Sequence, residues 1–482
     1  MLGERKAFEL PPRSEEFPRW FDEVLFKAEI VDFRYPVKGM YVWLPYGYEI
    51  MSRIMEIMEE LLREAGHKRV YFPGVVPESV LSREFKFKQG FEGSVYWITR
   101  LGREEAPERM ALRPTSEAIM YEVLSRWIKS YADLPLKIYQ IVPVYRYETK
   151  ATRPLLRVRE IAFFKEAHTF HSSYEEAAAQ VEEGVRIYRD FYDRLLIPYI
   201  VVKTPKWDTF PGAHYNYDVI TVMPDGKALE LGSVINFGDI FAGAYELKYM
   251  DRDGKMKNVN TTSYGISERS LAAVIAIHGD DRGMRLPPEI APVQVVVVPI
   301  PKKGEEELVA SAAREAEERI RSLGLRTVLD DSEERPGYKY YKWEVRGVPL
   351  RVEVGPGEAR GGFVSVVKRT APGRRIRVEL DSLAEEIPSL LEEVREDLLR
   401  EALEYFRGWI REANTLEEVV ELVGSKIVSF PWCGDEECGH EVEEAAGYSL
   451  LGYEENALLG SGASCVACGR EAPHRAWIGR SY

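Results

Sequence analysis

Apolar residues recur at helical spacing early in the chain. Behind Trp43-Leu44-Pro45-Tyr46-Gly47, the positions Ile50, Ile54, Ile57, Met58 and Leu61 share one face of a 3.6-residue period, which predicts a long amphipathic helix within 40–65. The β-formers Val70-Tyr71-Phe72 follow and stop at Pro73, which cannot donate to a sheet ladder and belongs at a strand end. Leu136 to Tyr147 and Arg159 to Thr169 predict two strands, and the polar, basic segment 148–158 with Pro154 predicts that they are antiparallel and joined by a long loop. Ser173 to Leu196 predicts a helix; Tyr217 to Met223, Pro224-Asp225-Gly226 and Ala228 to Leu231 predict strand, turn and strand. Antiparallel strands with interspersed helices make an α+β body, expected over 1–288.

The prolines of Leu286-Pro287-Pro288-Glu289-Ile290-Ala291-Pro292 break any continuing helix and mark a boundary. Beyond it the period changes. Val293 to Ile300 is a continuous apolar β-run, Glu305 to Leu323 a charged amphipathic helix and Leu325 to Leu329 a strand, a β-α-β unit with a partly parallel sheet. Leu350 to Val354 adds an alternating strand, so a second domain is expected over 289–380. A third unit, 381–482, opens with a highly charged helix from Leu383 to Ala413. No repeat period runs through the sequence, which argues against a solenoid.

Composition fits two to four domains, since 482 residues with 45% hydrophobic content can bury several cores. No apolar run approaches the roughly 20 residues of a membrane span, and Met1 to Pro12 is charged without a secretory core, so a cytoplasmic protein with no membrane partner is expected. A net charge of −14 excludes a uniformly basic surface. Between Arg335 and Glu379, however, eleven Lys and Arg stand against four Asp and Glu, a local footprint for RNA. Arg346, Glu353, Lys368 and Arg369 within it are candidates for guanine edges or phosphates of single-stranded RNA.

All four cysteines lie beyond Trp432, which argues against a disulfide framework spread over the chain. Cys433 and Cys438, then Cys465 and Cys468, form two pairs whose second members precede glycines. Four thiolates so spaced suit a closed, tetrahedral structural Zn2+, with two disulfides as the alternative. His168 and His171, three apart on a strand, point to opposite faces and are expected to share no metal.

Three segments in order carry a resemblance: Leu112-Arg113-Pro114-Thr115-Ser116-Glu117, Val144-Tyr145-Arg146-Tyr147-Glu148, and Gly265-Ile266-Ser267-Glu268-Arg269. With the helix, strand and proline of 47–73, the chain resembles the prolyl-tRNA synthetases of archaeal and eukaryotic type, members of class II, along nearly its whole length. The resemblance implies a class II antiparallel-sheet catalytic domain, an α/β anticodon-binding domain and a small C-terminal zinc-binding α/β domain. It implies ATP-dependent attachment of L-proline to tRNA(Pro) through a prolyl-adenylate, with Mg2+ accompanying ATP. It further implies a homodimer with the 47–73 motif at its interface, and a C-terminal Arg480-Ser481-Tyr482 that reaches toward the catalytic domain.

The chemistry fits such residues, because attack of a carboxylate on the α-phosphate builds charge that positioned cations stabilise. The planar fork of Arg146 can hold the α-phosphate and the amino-acid carboxylate together. By resemblance, Glu148 contacts the adenine amino group, Ser267 and Arg269 serve the nucleotide, and Thr115 and Glu117 hold the proline imino group. Thr115-Ser116-Glu117 is also an ordinary capping sequence for the helix that follows. The stretch from 166 to Pro205 is too short for an inserted editing domain, and no class I signature is present.

The sequence departs from the family between 230 and 241. Where relatives carry a glutamine, a threonine three positions on and a histidine two after that, this chain has Glu230, Ser233 and Ile235. Glu230 offers an oxygen to Mg2+, Ser233 keeps the hydroxyl, and Ile235 makes the amino-acid pocket more apolar. Two alternatives therefore stand beside proline ligation: a paralogue that activates a related amino acid, and a non-catalytic paralogue that binds tRNA.

Overall fold

The structure is a computed structural model that describes residues 8–85 and 91–482; the first seven residues of the charged N-terminal segment lie outside them. Helix α1, Pro45–Glu64, starts on its proline and buries Ile50, Met51, Ile54, Met55, Met58, Leu61 and Leu62 along one stripe. The ladder expected over 70–73 ends sooner, at the two-residue strand Lys68–Arg69. Beyond it the Phe72 N–H donates to the Gln140 side chain at 2.9 Å, and Pro73 has no N–H to offer.

Helix α2 spans Glu117–Trp127. Strands β1, Leu136–Tyr145, and β2, Glu160–His171, pair antiparallel across the loop expected between them. Helix α3, Tyr174–Arg194, then packs behind the sheet, and β3 (Ile200–Lys203), β4 (Tyr215–Val222), β5 (Ala228–Gly238) and β6 (Asn260–Ile266) complete the antiparallel body. Helix α4, Arg269–His278, follows β6 directly and is buried at every position from Ser270 to His278. Such a helix has no solvent face and lies inside the domain.

The second unit is a five-stranded sheet of β7 (Val295–Pro299), β8 (Thr327–Leu329), β9 (Leu350–Val354), β10 (Phe363–Lys368) and β11 (Arg375–Glu379). Strand β7 is parallel to β8 and β9 through the crossover helix α5, Glu306–Arg321, and β10 and β11 add antiparallel edges. Helix α6, Pro336–Val345, lies between β8 and β9. Helix α7, Leu383–Trp409, does not open a new unit as the expected boundary at 380/381 implies. Leu383, Ile387, Leu390, Leu391, Val394 and Leu398 along its first half pack into the core of this sheet.

The last unit carries β12 (Ile410–Glu412), β13 (Ile427–Trp432), helix α8 (Glu436–Ala446), β14 (Leu450–Glu454) and β15 (His474–Ile478). Its strands continue the catalytic sheet, because Tyr453 pairs with Lys203 and joins β14 to β3. Eleven strands result, in the order β12-β13-β15-β14-β3-β4-β5-β6-β2-β1 and then Lys68–Arg69. The terminal residues are tied to the same sheet: the Ala228 N–H donates to Arg480 O at 2.7 Å, and the Tyr482 hydroxyl donates to Asp225 at 2.9 Å. No described helix is long and apolar enough to cross a membrane.

Candidate active site

The pleat of the catalytic sheet sets two rungs side by side. Asp218, Ser233, Gly265, Glu166 and Gln140 are register partners across β4, β5, β6, β2 and β1, and Asn216, Ile235, Ser263, His168 and Ile138 form the next rung on the same face. Glycine in the centre of the first rung puts no side chain between Ser233 and Glu166 and lets the Phe164 ring lie close over the floor, 3.3 Å from where a Cβ would stand. Of the residues named from sequence, Thr115, Glu117, Ser233 and Ile235 stand on or beside that floor.

Thr115 and Glu117 stand at one end of it. The Thr115 hydroxyl donates to Glu117 and, at 3.3 Å, to Glu166, while the Ser263 hydroxyl reaches Glu117 at 3.4 Å. Ser116 precedes α2 but makes no capping bond; its N–H and hydroxyl go to Glu166 instead, and Gln140 Nε2 donates to the Ser116 hydroxyl at 2.8 Å. Tertiary carboxylate contacts thus take the place of the cap. Burial, with Glu117 adding to it, raises the pKa of Glu166. His168 is fully buried on the second rung, and neither ring nitrogen has a hydrogen-bond partner among the described residues. A buried imidazole without partners calls for a ligand atom or water beside it.

Arg146 sits where β1 leaves the sheet. Its Nε donates to Pro114 O at 3.0 Å, and its guanidinium lies over the Phe164 ring at 5.3 Å, but among the described residues it makes no ion pair. Burial lowers its pKa, against the pull of Glu166 and Glu117. A planar cation so held, with its fork free of carboxylates, is prepared for an anion from solution. Arg113 plays a different part: its guanidinium binds the carbonyls of Phe72, Pro73 and Pro143 at 2.7 to 3.3 Å and staples the Pro73 segment to β1.

Glu148 lies in the loop after β1, where Arg159 bonds its carbonyl and Arg157 approaches its carboxylate at 3.6 Å. Arg269 begins α4 and bridges that loop to β5, donating to Leu156 O and Glu230 O at 3.2 Å each. The Ser267 hydroxyl accepts from the Arg269 N–H at 3.3 Å. Glu230 and Ser233 meet across a β-bulge, and Ser233 donates to Glu230 at 3.1 Å and to Asp218 at 2.6 Å. Burial first, then the Glu230 charge, pushes the Asp218 carboxyl up to about 8. Ile235 is buried between Asn216 and Ser263 and closes the apolar end of the floor.

The four RNA-facing candidates are engaged inside the protein. Glu353 is buried between Arg351 and Arg375 at 3.0 and 2.8 Å, and Lys368 pairs with Glu393 and Asp397 at 2.7 and 3.1 Å. Arg369 pairs with Asp280, and Arg346 with Glu29. The cysteines, by contrast, come together as the spacing predicts. One sulfur atom from each of Cys433, Cys438, Cys465 and Cys468 lies within 4.8 Å of the others, all four are free thiols, and Cys468 and Cys433 stand 3.8 Å apart. Ligands at about 2.3 Å around a tetrahedral zinc are spaced in this way.

Three family models cover most of the chain: the class II tRNA synthetase core of the G, H, P, S and T enzymes over 96–278, an anticodon-binding domain over 294–390, and the prolyl-tRNA synthetase C-terminal domain over 416–482. A proline–tRNA ligase from Thermococcus kodakarensis is 48% identical over the full length of both chains. That from Pyrococcus horikoshii is also 48% identical, covering 97% of this chain and 98% of its own. The chain belongs to the prolyl-tRNA synthetase family. Among solved structures, the Giardia lamblia prolyl-tRNA synthetase in complex with prolyl-adenylate matches with a TM-score of 0.94 at 33% identity, over 98% of this chain and 100% of that one. A Cryptosporidium parvum prolyl-tRNA synthetase complexed with L-proline and AMP matches with a TM-score of 0.91 at 30% identity, over 99% and 98%. This prolyl-tRNA synthetase family member is therefore a class II ligase, an enzyme whose expected α+β architecture and three kinds of domain are present.

Sequence reasoning missed four floor residues: Glu166, His168, Asp218 and Ser263. Alternation along β2 places Glu166 and His168 on one face, and that signal was available. Asp218 and Ser263 become neighbours of Ser233 and Ile235 only through sheet register.

Proposed function

We propose that this chain attaches L-proline to tRNA(Pro) through a prolyl-adenylate, with Arg146 gathering the two reacting anions. The observation that carries this is a half-buried guanidinium, without an ion pair among the described residues, at the edge of a floor lined by Glu117, Glu166 and Ser233. Arg146 holds the amino-acid carboxylate in line with the α-phosphate of ATP and stabilises the charge that builds there. Thr115 and Glu117 hold the imino cation, Ile235 supplies an apolar wall, and Glu148, Ser267 and Arg269 hold the nucleotide. Glu230 is the carboxylate that would take Mg2+ with the phosphates, the ion supplying charge neutralisation there.

The four cysteines would hold a structural zinc that closes the C-terminal unit and leaves no ligand position for water. The protein acts in the cytoplasm as a homodimer. Its basic segment, 335–379, meets the tRNA through exposed cations such as Arg374 and Arg377, a reading supported by the match of 294–390 to an anticodon-binding domain. The test is amino-acid-dependent ATP–pyrophosphate exchange across proline, alanine and cysteine. Exchange driven foremost by proline is expected; a preference for another amino acid, or no exchange with any, overturns the reading.

A further inference from the structure

Arg369 stands in the most basic stretch of the chain and is nonetheless buried. Its guanidinium makes two bonds to the Asp280 carboxylate, at 2.8 and 2.6 Å, and its Nε donates to the Glu344 carbonyl at 3.0 Å. Asp280 belongs to the catalytic domain. It lies just past the end of α4, exchanges backbone hydrogen bonds with Gly283 at 2.9 and 3.1 Å, and accepts from Trp20 Nε1 through its carbonyl at 3.0 Å. Burial pushes the Asp280 carboxyl up, but Arg369 leads the groups that outweigh burial and hold it below its ordinary value, so the pair is ionised. Removing one partner of such a pair leaves an uncompensated charge.

The same junction is zipped along the backbone. The Met284 N–H donates to Val345 O and the Leu286 N–H to Gly347 O, each at 3.1 Å. The two backbones approach so closely that only glycine fits at two positions. At Gly283, with φ 134°, a Cβ would fall 2.4 Å from Val345 Cα, and at Gly347, with φ 75°, 2.8 Å from the Met284 carbonyl carbon. A third contact joins the foot of α1 to the same corner. The Tyr46 hydroxyl donates to Arg346 O at 3.1 Å, and the Arg346 guanidinium lies 5.4 Å from the Tyr46 ring centre. The anticodon-binding domain is thus gripped beside both α1 and α4, and α4 carries Arg269 at its other end.

We propose that Arg369 is a positioning residue which, through Asp280, fixes the anticodon-binding domain against the catalytic sheet and so sets how a bound tRNA presents its acceptor end to the adenylate. This rests on the proposed ligase function. It gives Arg369 a role other than reading RNA, and it assigns Asp280, 89 residues away in sequence, to the same task. Orientation between domains matters to a tRNA that must touch both, and does not enter the reaction of proline with ATP.

The experiment compares Arg369→Gln, Asp280→Asn and the double variant in the full chain, measuring kcat/KM for tRNA(Pro) transcript and proline-dependent ATP–pyrophosphate exchange. Each single variant is expected to lose about tenfold in kcat/KM for tRNA, a loss typical of coupling between sites. The double variant should lose no more than either single one, and exchange should stay within about twofold of wild type. If Asp280→Asn charges tRNA normally while Arg369→Gln does not, or if the two losses multiply, Arg369 reads RNA and the proposal fails. Equal loss of exchange and of tRNA charging overturns it as well. Should Arg369→Gln not fold, Arg369→Lys, which keeps the charge but not the fork, makes the same comparison with Asp280→Asn. Absence of exchange in the wild type would instead remove the ligase reading beneath it.

Discussion

Asp218 shows how one residue in the floor carries a pH dependence. Its Oδ1 accepts from Ser233 at 2.6 Å and from Asn216 at 2.9 Å, and its carboxyl is pushed up to about 8 by burial and then by Glu230. An acid whose folded pKa exceeds its unfolded value stabilises the fold fully only below the unfolded value. That contribution is lost as pH rises toward the folded value. Between about pH 4 and 8 the folded state therefore holds a proton that the unfolded state has released, and stability falls by at most about 1.4 kcal/mol per pH unit from this group. Asp218→Asn keeps the accepting oxygen and removes the titration. The difference in thermal midpoint between variant and wild type, measured without magnesium, is expected to grow in favour of the variant from pH 4 to pH 8 and to level off above. Glu268, also pushed up to about 8 by burial, remains in both proteins and leaves a common residual slope. A difference independent of pH would show that Asp218 is ionised in the fold.

The terminal cysteine unit makes its case at the level of elements. Helix α8 begins three residues beyond Cys433 and contains Cys438, and Trp207 of the catalytic domain packs onto it 4.5 Å from the His440 ring and 6.1 Å from that of Trp432. With a metal at the four sulfurs the helix is tied to β13; without it, four thiols share a small volume, with Cys438 and Cys465 held only by the apolar core of the unit. One zinc per chain is expected by elemental analysis. Chelation or Cys438→Ser should lower the thermal midpoint by several degrees and shift tryptophan emission to the red as Trp207 and Trp432 meet water. An unchanged midpoint after verified metal loss would assign the unit's stability to its sheet pairing alone. The long-period elements of this chain were legible in its sequence: α1, the β1 and β2 pair and the β-α-β of the second domain each announce themselves by spacing. The junctions were not. That β14 joins β3 through Tyr453 and Lys203, that the first half of α7 serves the second core, and that Ser116 bonds Glu166 instead of capping α2 all depend on contacts between distant segments. The site divides in the same way. Arg146, Arg269, Thr115 and Glu117 could be named as candidates because they stand in ordered motifs, whereas Asp218 and Ser263 join them only through the register of the strands. Net positive charge located the basic segment but could not reveal that Lys368 and Arg369 are spent on internal carboxylates.

At the scale of the whole molecule, the stretch 33–48 leaves several large apolar side chains in water. Phe33, Tyr35, Val37, Val42 and Tyr48 are exposed around the short hairpin of Val31–Asp32 and Val42–Trp43 and the first turn of α1. Large apolar side chains left exposed in one short segment mark a candidate interaction surface. A second copy is the simplest occupant, since a two-fold axis lets one patch cover itself and closes the assembly. The position adds a reason. Tyr46, in the same turn of α1, holds Arg346 of the anticodon-binding domain, and the chain leaving α1 runs through Phe72 and Pro73, which Arg113 fastens to β1 beside the floor. A partner seated here would brace both the domain junction and the substrate site. Sedimentation should therefore report about twice the 55.3 kDa chain mass. Tyr35→Glu with Val42→Glu should shift the protein toward monomer, as buried like charges across the axis oppose association. With the partner's bracing removed, the monomer should lose proline-dependent exchange in proportion to its population, and raising protein concentration should restore it. A variant that is monomeric at every concentration and fully active would confine the patch to some other partner.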